Sequence, residues 1–212
     1  MAVLDQDSAT PVPALRGWRR NAVVSLVTCA LLVAAVAVPY AYFRAGLYTK
    51  SADESARTID AWFWTFDKAV VKVDVWLPLH MMLTGLVLDV WPDLILAPRA
   101  LNMALGALLL PALAWLAHEL FRSSRSSTLP LVNTPLLTMA LAAFFGPRVV
   151  LSAVPLSEIL FILLLTLGLA ATARWLRLGR LRWLLVAAAF IALSAGVRFE
   201  GRLFAAMLGL FA

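Results

Sequence analysis

Seven apolar runs, at residues 22–43, 76–91, 100–121, 131–146, 156–173, 183–197 and 203–212, divide this sequence, and most of its charge lies between them. A helix needs about 20 apolar residues to cross a hydrocarbon core. Within that core the backbone must satisfy its own hydrogen bonds, and continuous apolar runs do so as helices. The pattern predicts an all-α, polytopic transmembrane helical bundle. Only 14% of the 212 residues are charged and 63% are hydrophobic, whereas a soluble domain carries about 25% charge. The net charge of +6 does not point to nucleic acid, because the basic residues form small clusters at the ends of apolar runs, where membrane topology accounts for them. Cys29 is the single cysteine, so the chain has neither an internal disulfide nor a cysteine metal site.

The arginine clusters constrain the topology. Arg16, Arg19 and Arg20 precede the first run, Arg122 and Arg125 follow the third, and Arg174, Arg177, Arg180 and Arg182 lie between the fifth and sixth. Basic loops face the cytoplasm, so an even number of crossings must separate one cluster from the next. Three runs lie between the first two clusters, and one of them must stay on one side. Run 76–91 is short and broken by Pro78, His80, Gly85 and Asp89, which marks it as the interfacial or re-entrant one. Residues 1–20 are then a cytoplasmic tail, with 1–15 lacking periodicity, and residues 44–99 form a long first external loop with interfacial helices. Run 131–146 crosses outward and is stopped by Gly146-Pro147, leaving 147–155 as an external link. Run 203–212 holds about half of the roughly 20 residues a span requires, so the sequence is expected to be the N-terminal part of a longer protein.

Polar chemistry concentrates at residues 51–80. As a helix from Ser51, this segment sets Ala56, Ile59, Phe63, Phe66 and Val70 on one stripe and Asp53, Arg57, Asp60, Trp64 and Asp67 on another face, a pattern suited to lying flat on a bilayer. Ser51 and Glu54 have the spacing of a capping box, and Asp53 suits the first turn of a helix and can pair with Arg57. In the topology above, Asp53, His80, Glu158 and the Arg198/Glu200 pair fall on the same external side. Ionisable groups gathered at transmembrane ends are a signal of function. Structural readings stand beside it: His80 in the headgroup region, Glu158 as a helix-start residue with Ser157, Arg198 as a snorkelling arginine, Asn102 and Asn133 as bridges between helices, and His118 and Glu119 as topological residues far from the site.

Five short motifs carry a family resemblance: Asp53-Glu54 after the first span, Trp76-Leu77-Pro78-Leu79-His80 in the same loop, Arg99-Ala100-Leu101 opening the next span, Pro155-Leu156-Ser157-Glu158 at the fourth, and Arg198-Phe199-Glu200. In order and spacing the chain resembles the GT-C membrane glycosyltransferases, the superfamily of the protein O-mannosyltransferases and the lipid A aminoarabinose transferases. Members often have two prolines before the leucine of the second motif; Leu77 replaces the first here. The resemblance implies an inverting transferase that moves a sugar from a polyprenyl-phosphate donor to an acceptor at the external face of a bacterial plasma membrane. It implies Asp53 as general base, Glu54 and Glu158 as neighbouring site carboxylates, and Arg57, His80 and Arg198 near the donor phosphate, with Glu200 beside them. It leaves open a divalent metal ion. The rival readings are a transporter or channel subunit, which would place ionisable groups near the bilayer midplane, and a non-catalytic membrane scaffold.

Overall fold

The computed structural model describes residues 14–47, 52–68, 77–122 and 133–211, with side chains from residue 21 to residue 210. These residues form nine helices: α1 (Ala14–Arg44), α2 (Ala52–Phe66), α3 (Pro78–Val90), α4 (Leu96–Phe121), α5 (Thr134–Phe144), α6 (Gly146–Ala153), α7 (Glu158–Leu178), α8 (Leu181–Ala195) and α9 (Glu200–Phe211). Three of them, α1 from Asn21, α4 and α7, are long and apolar enough to cross a membrane, and the bent pair α5–α6 is a candidate fourth. The described residues are thus all-helical, with three helices of membrane-spanning length and composition, as in an integral membrane protein. Helix α1 starts at Ala14, so Arg16, Arg19 and Arg20 lie on its first turns, ahead of the candidate span that begins at Asn21.

Helices α4 and α7 form the centre. Leu105, Leu109 and Ala112 of α4 pack against Ile159, Leu160, Leu163 and Leu164 of α7, and Val197 closes the cluster. The two run parallel. Asn102 near the start of α4 donates to the carbonyls of Val154 and Leu156, just before α7 (2.5 and 2.8 Å), while Glu119 near the end of α4 pairs with Arg174 and Arg177 near the end of α7. Helix α1 runs antiparallel to α4: Phe43 lies under the Arg99 guanidinium at 4.8 Å, and Leu31 and Ala35 pack with Leu110, Met139 and Ala143. Gly179, left-handed at φ 62°, ends α7, and α8 turns back, bringing Arg198 to Glu158. One end of the bundle therefore collects the end of α1, the starts of α4, α7 and α9, and helices α2 and α3. The opposite end collects the start of α1 with its three arginines, together with Arg122, Arg174, Arg177, Arg180 and Arg182.

Helix α3 has 13 residues and spans about 20 Å, well below a hydrocarbon core of about 30 Å. Helix α8, read from sequence as a span, has 15 and is also shorter than the usual 20. On α2 the stripe of Ile59, Phe63 and Phe66 is exposed, and Glu54, Thr58, Ala61 and Trp64 are buried. Trp64, assigned from periodicity to the polar face, turns instead toward α3. The capping-box partner Ser51, along with Val70 and Trp76, lies outside the described residues.

The segment after run 131–146 differs from expectation. Residues 147–155 are not a loop link: the helix stops at Phe145, whose backbone is extended, and resumes as α6 after a 60° bend. Pro147 has no N–H to give Ala143 O, so the helical ladder lapses there. Helix α6 then packs against α1 and α4 and buries Arg148 and Ser152. A Cβ on Gly106 would collide with the Ser152 side chain, so α4 and α6 meet this closely only because residue 106 is glycine.

Candidate active site

The first turns of α2, the turn from α6 to α7 and the turn from α8 to α9 meet around a cavity of about 230 Å³. Asp53, Arg57, Ser157, Glu158, Arg198 and Glu200 supply its polar wall, and Leu77, Val197 and Phe199 its apolar one. Residues about 150 positions apart are brought together because α7 starts, and α8 ends, at the same end of the bundle. Leu79 N–H donates to Gly196 O at 3.2 Å and ties the entry of α3 to the exit of α8.

The charges are arranged as two linked pairs. Arg57 donates to Ser157 Oγ. Arg198 pairs with Glu158 and takes Glu200 with two donors, Nη2 to Oε1 at 2.9 Å and Nε to Oε2 at 3.3 Å. Donation to the Glu200 carboxylate raises the Arg198 pKa above its usual value, and the same bond lowers that of Glu200. Burial lowers the Arg57 pKa, against the fields of Glu158 and Asp53. Oxygen Oε2 of Glu158 is buried with no hydrogen-bond partner among the described residues, which leaves it as an acceptor at the cavity wall. A cavity with three carboxylates and two guanidiniums can take a proton from one group and hold an anion beside another.

Five of the seven residues singled out from sequence, namely Asp53, Arg57, Glu158, Arg198 and Glu200, line this cavity. Glu54 does not. It is a quarter-turn or more from Asp53 on the helix, 6% exposed, and forms an ion pair with Arg99, which also donates to Ile95 O at 2.7 Å. Glu54, expected from the resemblance to be a neighbouring site carboxylate, thus sits beside the cavity and pairs with Arg99 of α4. His80 is 3% exposed and faces Asn102 Oδ1 at 3.1 Å. Burial lowers its pKa to about 4, with Arg57 pushing the same way, so it is neutral at pH 7, and it does not line the cavity. Sequence reading named Ser157 and Arg99 in motifs but missed the pairing of Ser157 with Arg57 and of Arg99 with Glu54. The signal for Asn102 was there: an amide inside an apolar helix needs polar partners, and it finds them in the chain entering α7.

A lowered histidine pKa means that the unfolded chain binds the proton more readily, so stability rises with pH. The contribution of His80 is complete above about 6.5 and is lost as pH falls toward about 4; it amounts to about 3 kcal/mol. We expect the melting temperature of the detergent-solubilised protein to drop more steeply between pH 6.5 and 4.5 in the parent than in His80→Gln, which has no charge to gain. Equal slopes would contradict the neutral assignment.

The described residues contain no group of three His, Cys, Asp or Glu side chains able to hold a metal ion. Comparisons with protein-family models, curated proteins and solved structures found no match.

Proposed function

We propose that this protein acts as an inverting glycosyltransferase that uses a polyprenyl-phosphate sugar, as the GT-C resemblance implies. The observation that carries this reading is the cavity in which Asp53 and Glu158 share walls with Arg57 and Arg198 at one end of the apolar bundle. Asp53 takes the proton from an acceptor hydroxyl or amine. The acceptor atom bonds to the anomeric carbon from one side as the carbon–oxygen bond to the lipid phosphate breaks on the other, and the electron pair leaves with the phosphate. Arg57 and Arg198 offset the charge that develops there, the largest kind of contribution a preorganised site makes. The isoprenoid chain stays in the bilayer beside the apolar helices.

Transport is the weaker reading. Arg148 lies deep among the helices, but its two Nη groups donate to the backbone carbonyls of Ala35, Gly106 and Ala143, a role in holding helices together, where a transporter would use such a group on a substrate path. The proposal is tested by following radiolabel from a polyprenyl-phosphate sugar in membranes that carry the protein. Label that leaves the donor only when the protein and an acceptor are present supports it; donor left intact across an acceptor panel counts against it.

Orientation has its own test. In a Cys29→Ala background, Leu94→Cys at the cavity end should react with an impermeant maleimide on intact cells, and Arg122→Cys at the arginine-rich end only after the membrane is opened. The reverse pattern would put the cavity in the cytoplasm.

A further inference from the structure

We propose that the arginine-rich end of the bundle, opposite the cavity, binds the phosphate of an anionic phospholipid headgroup at Arg174, Arg177 and Trp183. This site is independent of the glycosyltransferase reading.

Glu119 organises it. Its side chain is wholly buried, and its carboxylate accepts from Arg174 Nη1 (3.0 Å), Arg177 Nε (3.0 Å), Arg177 Nη2 (2.6 Å) and Trp115 Nε1 (3.2 Å). One carboxylate balances one of the two guanidiniums, so the cluster keeps a fixed positive charge. Both arginine side chains stay about one-third exposed, with N–H edges that Glu119 does not use. Trp183 packs against Trp115 at 5.9 Å and under the Arg174 guanidinium at 4.4 Å. Arg182 reaches the same indole at 5.7 Å.

Two donors in this stack lack acceptors. Arg174 Nε and Trp183 Nε1 are both buried and have no hydrogen-bond partner among the described residues. A buried donor without an acceptor is costly, and here two such donors lie in neighbouring groups beside excess positive charge. An oxyanion satisfies both requirements at once. Loop topology alone asks only for arginines on this side of the membrane; it does not ask for a buried glutamate that fixes two of them, or for an indole N–H left open beneath a third group. The source of the oxyanion follows from position. The cluster ends the long apolar helices α4 and α7, at the level where headgroups lie, and paired tryptophans belong at that level. Glu119 is the one acidic side chain at this end among the described residues, so little competes for the arginines.

The test is reconstitution of the full chain in nanodiscs of mixed phosphatidylglycerol and phosphatidylcholine, extraction in mild detergent, and measurement of the lipids retained per protein by native mass spectrometry. Phosphatidylglycerol should be enriched by about 5-fold or more, the factor contributed by one arginine at an anionic surface. Arg174→Gln should lose most of that enrichment. Because loss of an arginine also loosens the clamp on Glu119, Trp183→Phe provides the second variant: it keeps the ring under Arg174, removes only the N–H, and should lower enrichment at least 2-fold with unchanged melting temperature. Arg44→Gln, at the other end of α1, should change nothing. The proposal is overturned if the parent shows no enrichment, if both variants retain it, or if Arg44→Gln reduces it equally. Displacement of the lipid by excess inorganic phosphate would also overturn it, by assigning the site to free phosphate.

Discussion

Asp53→Asn should lower the rate of sugar transfer by about 100-fold or more, the scale on which a general base contributes, while leaving the protein folded in the membrane. Asparagine keeps the size of the side chain and its place on the first turn of α2, but its amide is not a base at neutral pH. Asp53 is exposed at the cavity wall, so the fold loses little. Glu54→Gln next door should behave in the opposite way. That change leaves the Arg99 guanidinium, 8% exposed, facing an amide in place of a charge, and breaking a buried pair destabilises by several kcal/mol. Its cost should appear as lower abundance and a lower melting temperature, with the rate per folded molecule much nearer the parent's. Transfer at saturating donor, normalised to folded protein, separates the two. Full activity in Asp53→Asn with an inactive but stable Glu54→Gln would move the base to Glu54; full activity in both would remove this end of α2 from the chemistry.

The features legible in the sequence are those encoded locally. Apolar run length marked α1, α4 and α7, and the arginine clusters at the ends of those runs were enough to group Asp53, Glu158, Arg198 and Glu200 before any coordinates. The period of α2 separated its apolar stripe from the rest. It did not show which of the remaining faces would meet α3, because Trp64 suits an interface and a helix contact equally well. Glu54 carried a local explanation, the capping box, that concealed its partner 45 positions on. His80 was placed near a phosphate from a short motif; its burial, which lowers its pKa, and its contact with Asn102 are set by the packing of α3 on α4, which no spacing reveals. Ser157 was visible as a helix-start residue, and only the fold of α2 over α7 gives it Arg57.

Arg148 is the clearest case of information that no local window holds, and it supplies a prediction about stability. Gly146-Pro147 reads as a stop, and a following arginine reads as part of a surface loop. In the structure Arg148 is 4% exposed and donates to Ala143 O (2.9 Å), Ala35 O (3.2 Å) and Gly106 O (3.3 Å). Two of those carbonyls lie four residues before a proline: Ala143 before Pro147, and Ala35 before Pro39. Each proline removes the N–H that the helix would have offered, and one guanidinium fills both gaps, joining α1, α4 and α5 where the α5–α6 helix breaks. Arg148→Met fits the volume but leaves two buried carbonyls without donors, at a cost of about 3 kcal/mol or more. Arg148→Lys should rescue little, since one ammonium cannot reproduce a planar fork that reaches three helices. Pro39→Ala is the informative partner. Helix α1 is continuous through residue 39, so alanine restores an N–H to Ala35 O without rerouting the chain, and adding it to Arg148→Met should recover about 1 kcal/mol. In the parent background the same change should gain less, because Ala35 O is already served. Unfolding midpoints of the four proteins in one detergent give the coupling directly. Equal gains from Pro39→Ala in both backgrounds would mean that Arg148 does not act through that carbonyl.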